Sequence, residues 1–313
     1  MKSLQIFIIF MFCSSAMTVS LFGPDSEELK EICSTDIDRK DRSPPLVTQQ
    51  ECFNENNYCP LFQKMKKSHR LVLVDTSGKL SANEIGFLKN DVLSRQTLTD
   101  DVAPYTKVTV VDLNDKFTPS NVKPLAAACR PRVGNAGTPF AADAPHNSQG
   151  VNFTKKVFNE WGRRVNGFAI QKLSSQTAAK ESLIFEHIRA VTNFPIFDFT
   201  EEDYEERTLV IFSDLLQNSE KFKLARDCRK LGMARNSCSD FVTFFKNVSN
   251  AQRNYLEKQK PSFSNNTKIV IYQIINKQVS QRFEKDLESF YKSYFQWAGV
   301  KSENIEHILL FDQ

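Results

Sequence analysis

Short apolar runs, each closed by polar turn residues, alternate along this chain with longer segments whose apolar residues recur at helical spacing. Leu71-Val72-Leu73-Val74 and Leu209-Val210-Ile211-Phe212 are unbroken branched and aromatic runs. Runs of this kind, bounded by turn signals, read as strands buried on both faces. Val108-Thr109-Val110-Val111, ending in Asp112, and the segments 269–275 and 305–311 read the same way. Between them Ser81-Ala82-Asn83-Glu84 has the form of a capping box, followed by Ile85, Leu88 and Val92 on one helical face. Residues 154–172 place Val157, Trp161, Val165 and Phe168 on a stripe, and 178–193 place Ile184, Ile188 and Val191 on another. Segments 219–231 and 241–258 are expected to be helical. Phe283, Leu287, Phe290, Tyr294 and Trp297 form an amphipathic helix closed by Gly299. Strands alternating with helices predict an α/β fold in three layers, a mostly parallel Rossmann-type sheet with helices on both faces.

The pattern also divides the chain. Residues 1–20 carry one charge, Lys2, a compact apolar core from Ile6 to Phe12, and small residues at Ser14-Ser15-Ala16 and Thr18-Val19-Ser20. That layout predicts a secretory signal peptide, with an uncleaved membrane anchor as the alternative. Residues 21–67 are polar and broken by Ser43-Pro44-Pro45, an irregular cysteine-bearing extension with one short helix near Ser26–Ile32. Residues 68–313 form the main domain. Within it, 113–150 is rich in Pro, Ala, Gly and Asn and is expected to be a long irregular connection.

Charge is nearly balanced over the 313 residues, with 41 basic against 37 acidic side chains. A nucleic-acid binder would show a clustered basic stripe, so nucleic acid is not an expected partner. Export fits the seven cysteines, of which Cys13 lies in the signal. The others suit an oxidising compartment. Sequence proximity favours Cys52–Cys59 and Cys228–Cys238, with Cys33–Cys129 left over, although six cysteines permit many pairings. The exported protein is expected to be periplasmic or secreted, touching a membrane only if the N-terminal anchor is kept.

Several chemistries are excluded by what the chain lacks. Gly78-Lys79 follows a strand, but a phosphate loop needs an earlier Gly and a Ser or Thr where Leu80 stands. No nucleophile elbow, His-Glu-x-x-His helix or Gly-x-Gly-x-x-Gly turn occurs. The four histidines, His69, His146, His187 and His307, are scattered and are expected to be ordinary core or surface residues.

What remains is a crevice. In an open parallel sheet, ligands bind beyond the carboxyl ends of the strands. The first strand ends in Asp75-Thr76-Ser77-Gly78-Lys79 and the later one in Ser213-Asp214-Leu215. If these strands are neighbours, Asp75, Ser77 and Asp214 converge and offer the hard oxygen donors that Mg²⁺ prefers. Without a metal, the same aspartates would cap helix N-termini or brace loops.

This constellation resembles a von Willebrand factor A-type domain. The resemblance covers the order of elements over 68–313, and implies the three-layer fold and a metal-ion-dependent adhesion site. Asp75 and Ser77 match the first two positions of that family's Asp-x-Ser-x-Ser motif, while Lys79 departs from the third. Ser182 stands for the family's Thr, and Asp214 for its later Asp. The stretch Ser213–Asn218 and the turn Cys129-Arg130-Pro131 are similar to those of bacterial proteins of this type with no assigned activity. The resemblance implies an exported binding module with Mg²⁺ held by Asp75, Ser77, Ser182 and Asp214. It would meet a protein partner through Lys79, Ser81, Ser213 and Gln217, without catalysis. An ammonium at Lys79 would compete with the ion unless it points to solvent. Two alternatives are a metal-dependent phosphoester hydrolase using the same crevice, and an envelope component with a vestigial site. The second draws on the 26 phenylalanines, most of which must be core: Phe241, Phe244 and Phe245 are expected to face inward, with an exposed docking patch as the alternative.

Overall fold

The computed structural model describes residue 59 and residues 67–103, 105–113, 124–131, 158–176, 179–197, 199, 204–231, 238–277 and 279–310. The expected signal, the helix at 26–32 and the cysteines Cys33 and Cys52 lie outside these residues.

The apolar runs form the sheet. β1 (Lys67–Asp75), β2 (Lys107–Leu113), β3 (Ala126–Cys129), β4 (Tyr204–Ser213), β5 (Thr267–Ile274) and β6 (Ile305–Leu310) stand in the order β3-β2-β1-β4-β5-β6. All neighbours are parallel except β3 on β2. β1 is central, with Leu71 opposite Thr109 on one side and Leu209 on the other. Alternate side chains serve opposite layers, as the two-residue strand period requires. Leu71, Leu73, Leu209 and Ile211 face one apolar core, and Val72, Val74, Val210 and Phe212 face a second.

The helices fill both layers. α1 (Ala82–Phe87) starts at the Ser81/Glu84 capping box and runs into a π-helical turn, Leu88–Val92. α2 (Arg95–Asp100) follows. A second π-helical turn, Arg163–Phe168, leads into α3 (Ala169–Ser174). Leu88, Val92, Trp161, Val165 and Leu173 cover the Val72 face. The other face is covered by α4 (Ile184–Asn193), α5 (Leu224–Lys230), α6 (Phe241–Asn247), α7 (Asn250–Lys258) and α8 (Gln281–Trp297). Gly299 leaves α8 at φ 100°, a conformation open to glycine because it has no Cβ.

Three expectations are corrected. The helix expected over 178–193 begins only at Ile184, because Ser182 is extended and bridges Asn218. The helix expected over 241–258 is two helices, since Val248 is extended and Ser249 with Gln252 opens a new capping box. The connection 113–150 contains β3, whose alanines carry little strand propensity. The phenylalanine cluster is core as expected: Phe241 and Phe244 are fully buried and Phe245 packs against them, which removes the alternative of a docking patch.

The cysteines also differ. Cys228–Cys238 is formed as expected. Cys59, however, is bonded to Cys129 across a Cα separation of 4.7 Å. This overturns both Cys52–Cys59 and Cys33–Cys129. Pairing by sequence proximity ignored the edge strand, which brings Cys129 to residue 59.

Candidate functional site

The chain departs in opposite directions from β1: first to β2 on one side, later to β4 on the other. A reversal of this kind is where open parallel sheets bind ligands, beyond the carboxyl ends of the two strands, here β1 and β4. Asp75 ends β1 and is 5% exposed. One of its oxygens, Oδ1, accepts the Ser77 backbone N–H at 2.9 Å, a local turn set by the aspartate itself. The other, Oδ2, accepts the Ser213 hydroxyl at 2.7 Å and the Ser182 hydroxyl at 3.1 Å. Asp75 thus joins side chains from three separate segments.

Asp214 follows directly after β4. Its Oδ1 accepts the Leu216 backbone N–H at 2.9 Å, and its Oδ2 accepts the Asn276 side-chain amide at 2.7 Å. Burial, and then the Asp75 charge, raise its pKa to about 6. Next to it Leu215 adopts φ 61° with its side chain fully buried. The Tyr291 hydroxyl from α8 donates to the Leu215 carbonyl at 3.0 Å, and the Leu215 N–H donates to the Ser213 hydroxyl at 2.9 Å. These bonds hold a left-handed leucine that is uncommon for a branched side chain.

The loops are stitched together by main chain. Ser182 and Asn218 exchange two N–H to carbonyl bonds of 2.8 Å each, and the Ala179 N–H donates to the Ser77 carbonyl at 2.9 Å. Asp75, Ser77, Ser182 and Asp214 are all on these loops. Of the side chains expected to meet a partner, Lys79 and Ser81 are exposed. Lys79 borders a cleft of about 220 Å³ shared with Thr76, Leu80, Ser81 and Gln176. The Ser81 hydroxyl is engaged in capping α1. Ser213 and Gln217 are buried, at 0% and 1% exposure, so the expectation of direct partner contact is corrected for both.

The sequence reading passed over two neighbours, Asn276 and Asp112. Asn276 follows β5, and the rule that marked Asp75 and Asp214 would have found it. Asp112, at the same height on β2, accepts the Thr76 hydroxyl. His187 is buried on α4, with Nδ1 2.7 Å from the Leu183 carbonyl oxygen, and burial lowers its pKa to about 4. It lies on the helix that the sequence already placed near the site, and fits the expectation of an ordinary core residue.

The donor set suits a hard cation. A hydroxyl that gives its proton to Asp75 keeps lone pairs for an ion. The Asp214 pKa is raised first by burial and then by the Asp75 charge, and a cation between the two carboxylates would relieve both. Among the described residues no group of three or more His, Cys, Asp or Glu stands together, so an ion here would depend on the serine hydroxyls.

Comparison with known proteins adds little at this distance. No protein-family model matches the chain, and no curated protein does. Among solved structures, proximal thread matrix protein 1 of the mussel byssus is 10% identical with TM-score 0.32, covering 77% of this chain and 43% of that one. Manganese-loaded TRAP protein of Plasmodium vivax is 10% identical with TM-score 0.28, covering 71% of this chain and 63% of that one. The chain spans less than two thirds of either neighbour. Scores this low carry no argument, and the fold stands on the sheet order and layers.

Proposed function

We propose that this chain is an exported protein-binding module, similar to von Willebrand factor A-type domains, whose crevice takes Mg²⁺ and meets an acidic side chain of its partner. The observation that supports this reading is the gathering of the Ser182 and Ser213 hydroxyls on Asp75, beside an Asp214 carboxylate whose pKa is raised. Asp75, Ser77, Ser182 and Asp214 would hold the ion, and Ser213 orients Asp75 from below. When bound, Mg²⁺ would supply a positive centre able to attract a carboxylate from outside. The chain's own residues then fix the loops, exclude bulk water on the buried side, and present Lys79 and the Ser81 backbone at the rim. The reading contains no catalytic step. Two disulfides favour an oxidising compartment. Among the described residues no helix is long and apolar enough to cross a membrane.

Mn²⁺ titration followed by electron paramagnetic resonance tests this reading on the mature protein. One saturable site in the parent, lost in Asp75→Ala and in Ser182→Ala, is the expected result. Equal binding by parent and Asp75→Ala would overturn the assignment.

A further inference from the structure

Gln217 lies one residue before the Asn218 that pairs with Ser182, and its side chain is 1% exposed. Its carbonyl oxygen accepts the Phe185 backbone N–H at 3.0 Å. Its amide nitrogen donates to Glu186 Oε2 at 3.0 Å. Phe185 is in the first turn of α4, where the N–H groups have no partner within the helix. The residue at the cap position, Leu183, supplies no side-chain bond. Gln217 therefore provides from the β4 loop the cap that α4 lacks.

Glu186 continues the chain of contacts. Its other oxygen, Oε1, accepts the Tyr255 hydroxyl from α7. Burial raises the Glu186 pKa, and the two donors, Tyr255 and Gln217, offset that cost for the charged form. Tyr255 also lies under Lys221 of the β4 loop, with the ammonium 6.0 Å from the ring centre. Three polar side chains from three elements are thus partnered with one another beneath the loops of the crevice. Apolar packing alone would not require that arrangement, since buried polar groups are costly unless matched.

We infer that Gln217, Glu186 and Tyr255 are a positioning relay that sets the start of α4, and with it the Ser182 hydroxyl, against Asp75. The geometry of the crevice then depends on α7, an element that contributes no side chain to it. This inference rests on the proposed site only for its consequence on ion binding; the positioning stands by itself. Gln217 and Tyr255 act through Ser182 and touch no ligand.

Gln217→Met and Tyr255→Phe remove the bonds while keeping much of the volume. Amide hydrogen exchange on the mature protein reads the positioning directly. The expected result is exchange at Ser182 and Asn218 faster by about tenfold, the equivalent of about 1.4 kcal/mol in local opening, with β5 amides unchanged. Mn²⁺ affinity is expected to fall in both variants without a matching fall in global unfolding temperature. Unchanged exchange at Ser182 and Asn218 in folded Tyr255→Phe and Gln217→Met would overturn the relay. Faster exchange in the variants of a parent that binds no Mn²⁺ would support the relay and overturn the metal reading instead. Tyr255→Phe guards against a Gln217 variant that does not fold, because Tyr255 is only partly buried.

Discussion

Asp214 carries a charge that the fold disfavours. Its pKa rises from 3.8 to about 6 through burial and the Asp75 charge. A carboxyl with a raised folded-state pKa favours the folded state most when protonated, so its contribution is full below the unfolded value and is lost as pH rises through about 6. His187 works in the opposite sense. Its pKa falls from 6.5 to about 4, so its contribution is present above pH 6.5 and is lost as pH falls through about 4. The two slopes oppose each other over part of that range, and Asp214→Asn separates them. Urea midpoints of the metal-free protein are expected to show Asp214→Asn gaining on the parent between pH 4 and pH 6.5, with a steady gap above that. A constant gap between the two from pH 4 to pH 6.5 would contradict the raised Asp214 pKa. Ser213 supports the same region in a different way. Its buried hydroxyl donates to Asp75 and accepts from Leu215, so Ser213→Ala leaves two polar groups short of a partner. Denaturant unfolding should show a loss of about 1–3 kcal/mol. Lys79→Ala, at an exposed position, should stay within about 0.5 kcal/mol.

At the scale of elements, aromatic rings lock the helices to one face of the sheet. Phe241 of α6 meets Phe185 of α4 and Phe290, Tyr294 and Trp297 of α8, with ring centres 5.0–6.3 Å apart. Phe241→Ala should therefore cost about 3–5 kcal/mol in chemical denaturation, among the largest effects of any single change in this layer. Ser249→Ala, which removes the cap that opens α7, should cost about 1 kcal/mol. The strands were legible because unbroken branched runs have few other uses in a soluble domain, and Ser81-x-x-Glu84 was legible because both halves of the box are local. The true start of α4 was not, since it is decided by a bridge to Asn218 and by a glutamine more than thirty residues away. The α6–α7 break was written in the Ser249/Gln252 box but was masked by a continuous helical pattern. Cys59–Cys129 was hidden for a similar reason: its partners are 70 residues apart and meet only once β3 has paired with β2.

At the scale of the whole molecule, the described residues form a mostly parallel sheet whose strand order reverses between β1 and β4, where the candidate site lies. The aspartates and the first serines of the site could be read from strand ends, because the position of a strand's carboxyl end follows from its apolar run. The inner supports, Ser213 and Gln217, were found in the sequence but with the wrong direction. Burial of a loop side chain depends on which loops pack over it. On this account the loops, the buried serines and the α7 relay exist to hold two carboxylates near one another, at a cost that an ion relieves. Thermal unfolding of the mature protein in EDTA, then in excess Mg²⁺ or Mn²⁺, beside Asp75→Ala, tests that claim most directly. An ion bound by the folded state alone at 100 times its dissociation constant adds about 2.7 kcal/mol. In a domain of this size that corresponds to an upward shift of roughly 5–10 °C. The account predicts that shift in the parent and none in Asp75→Ala. An equal response, or no response in either protein, would contradict it.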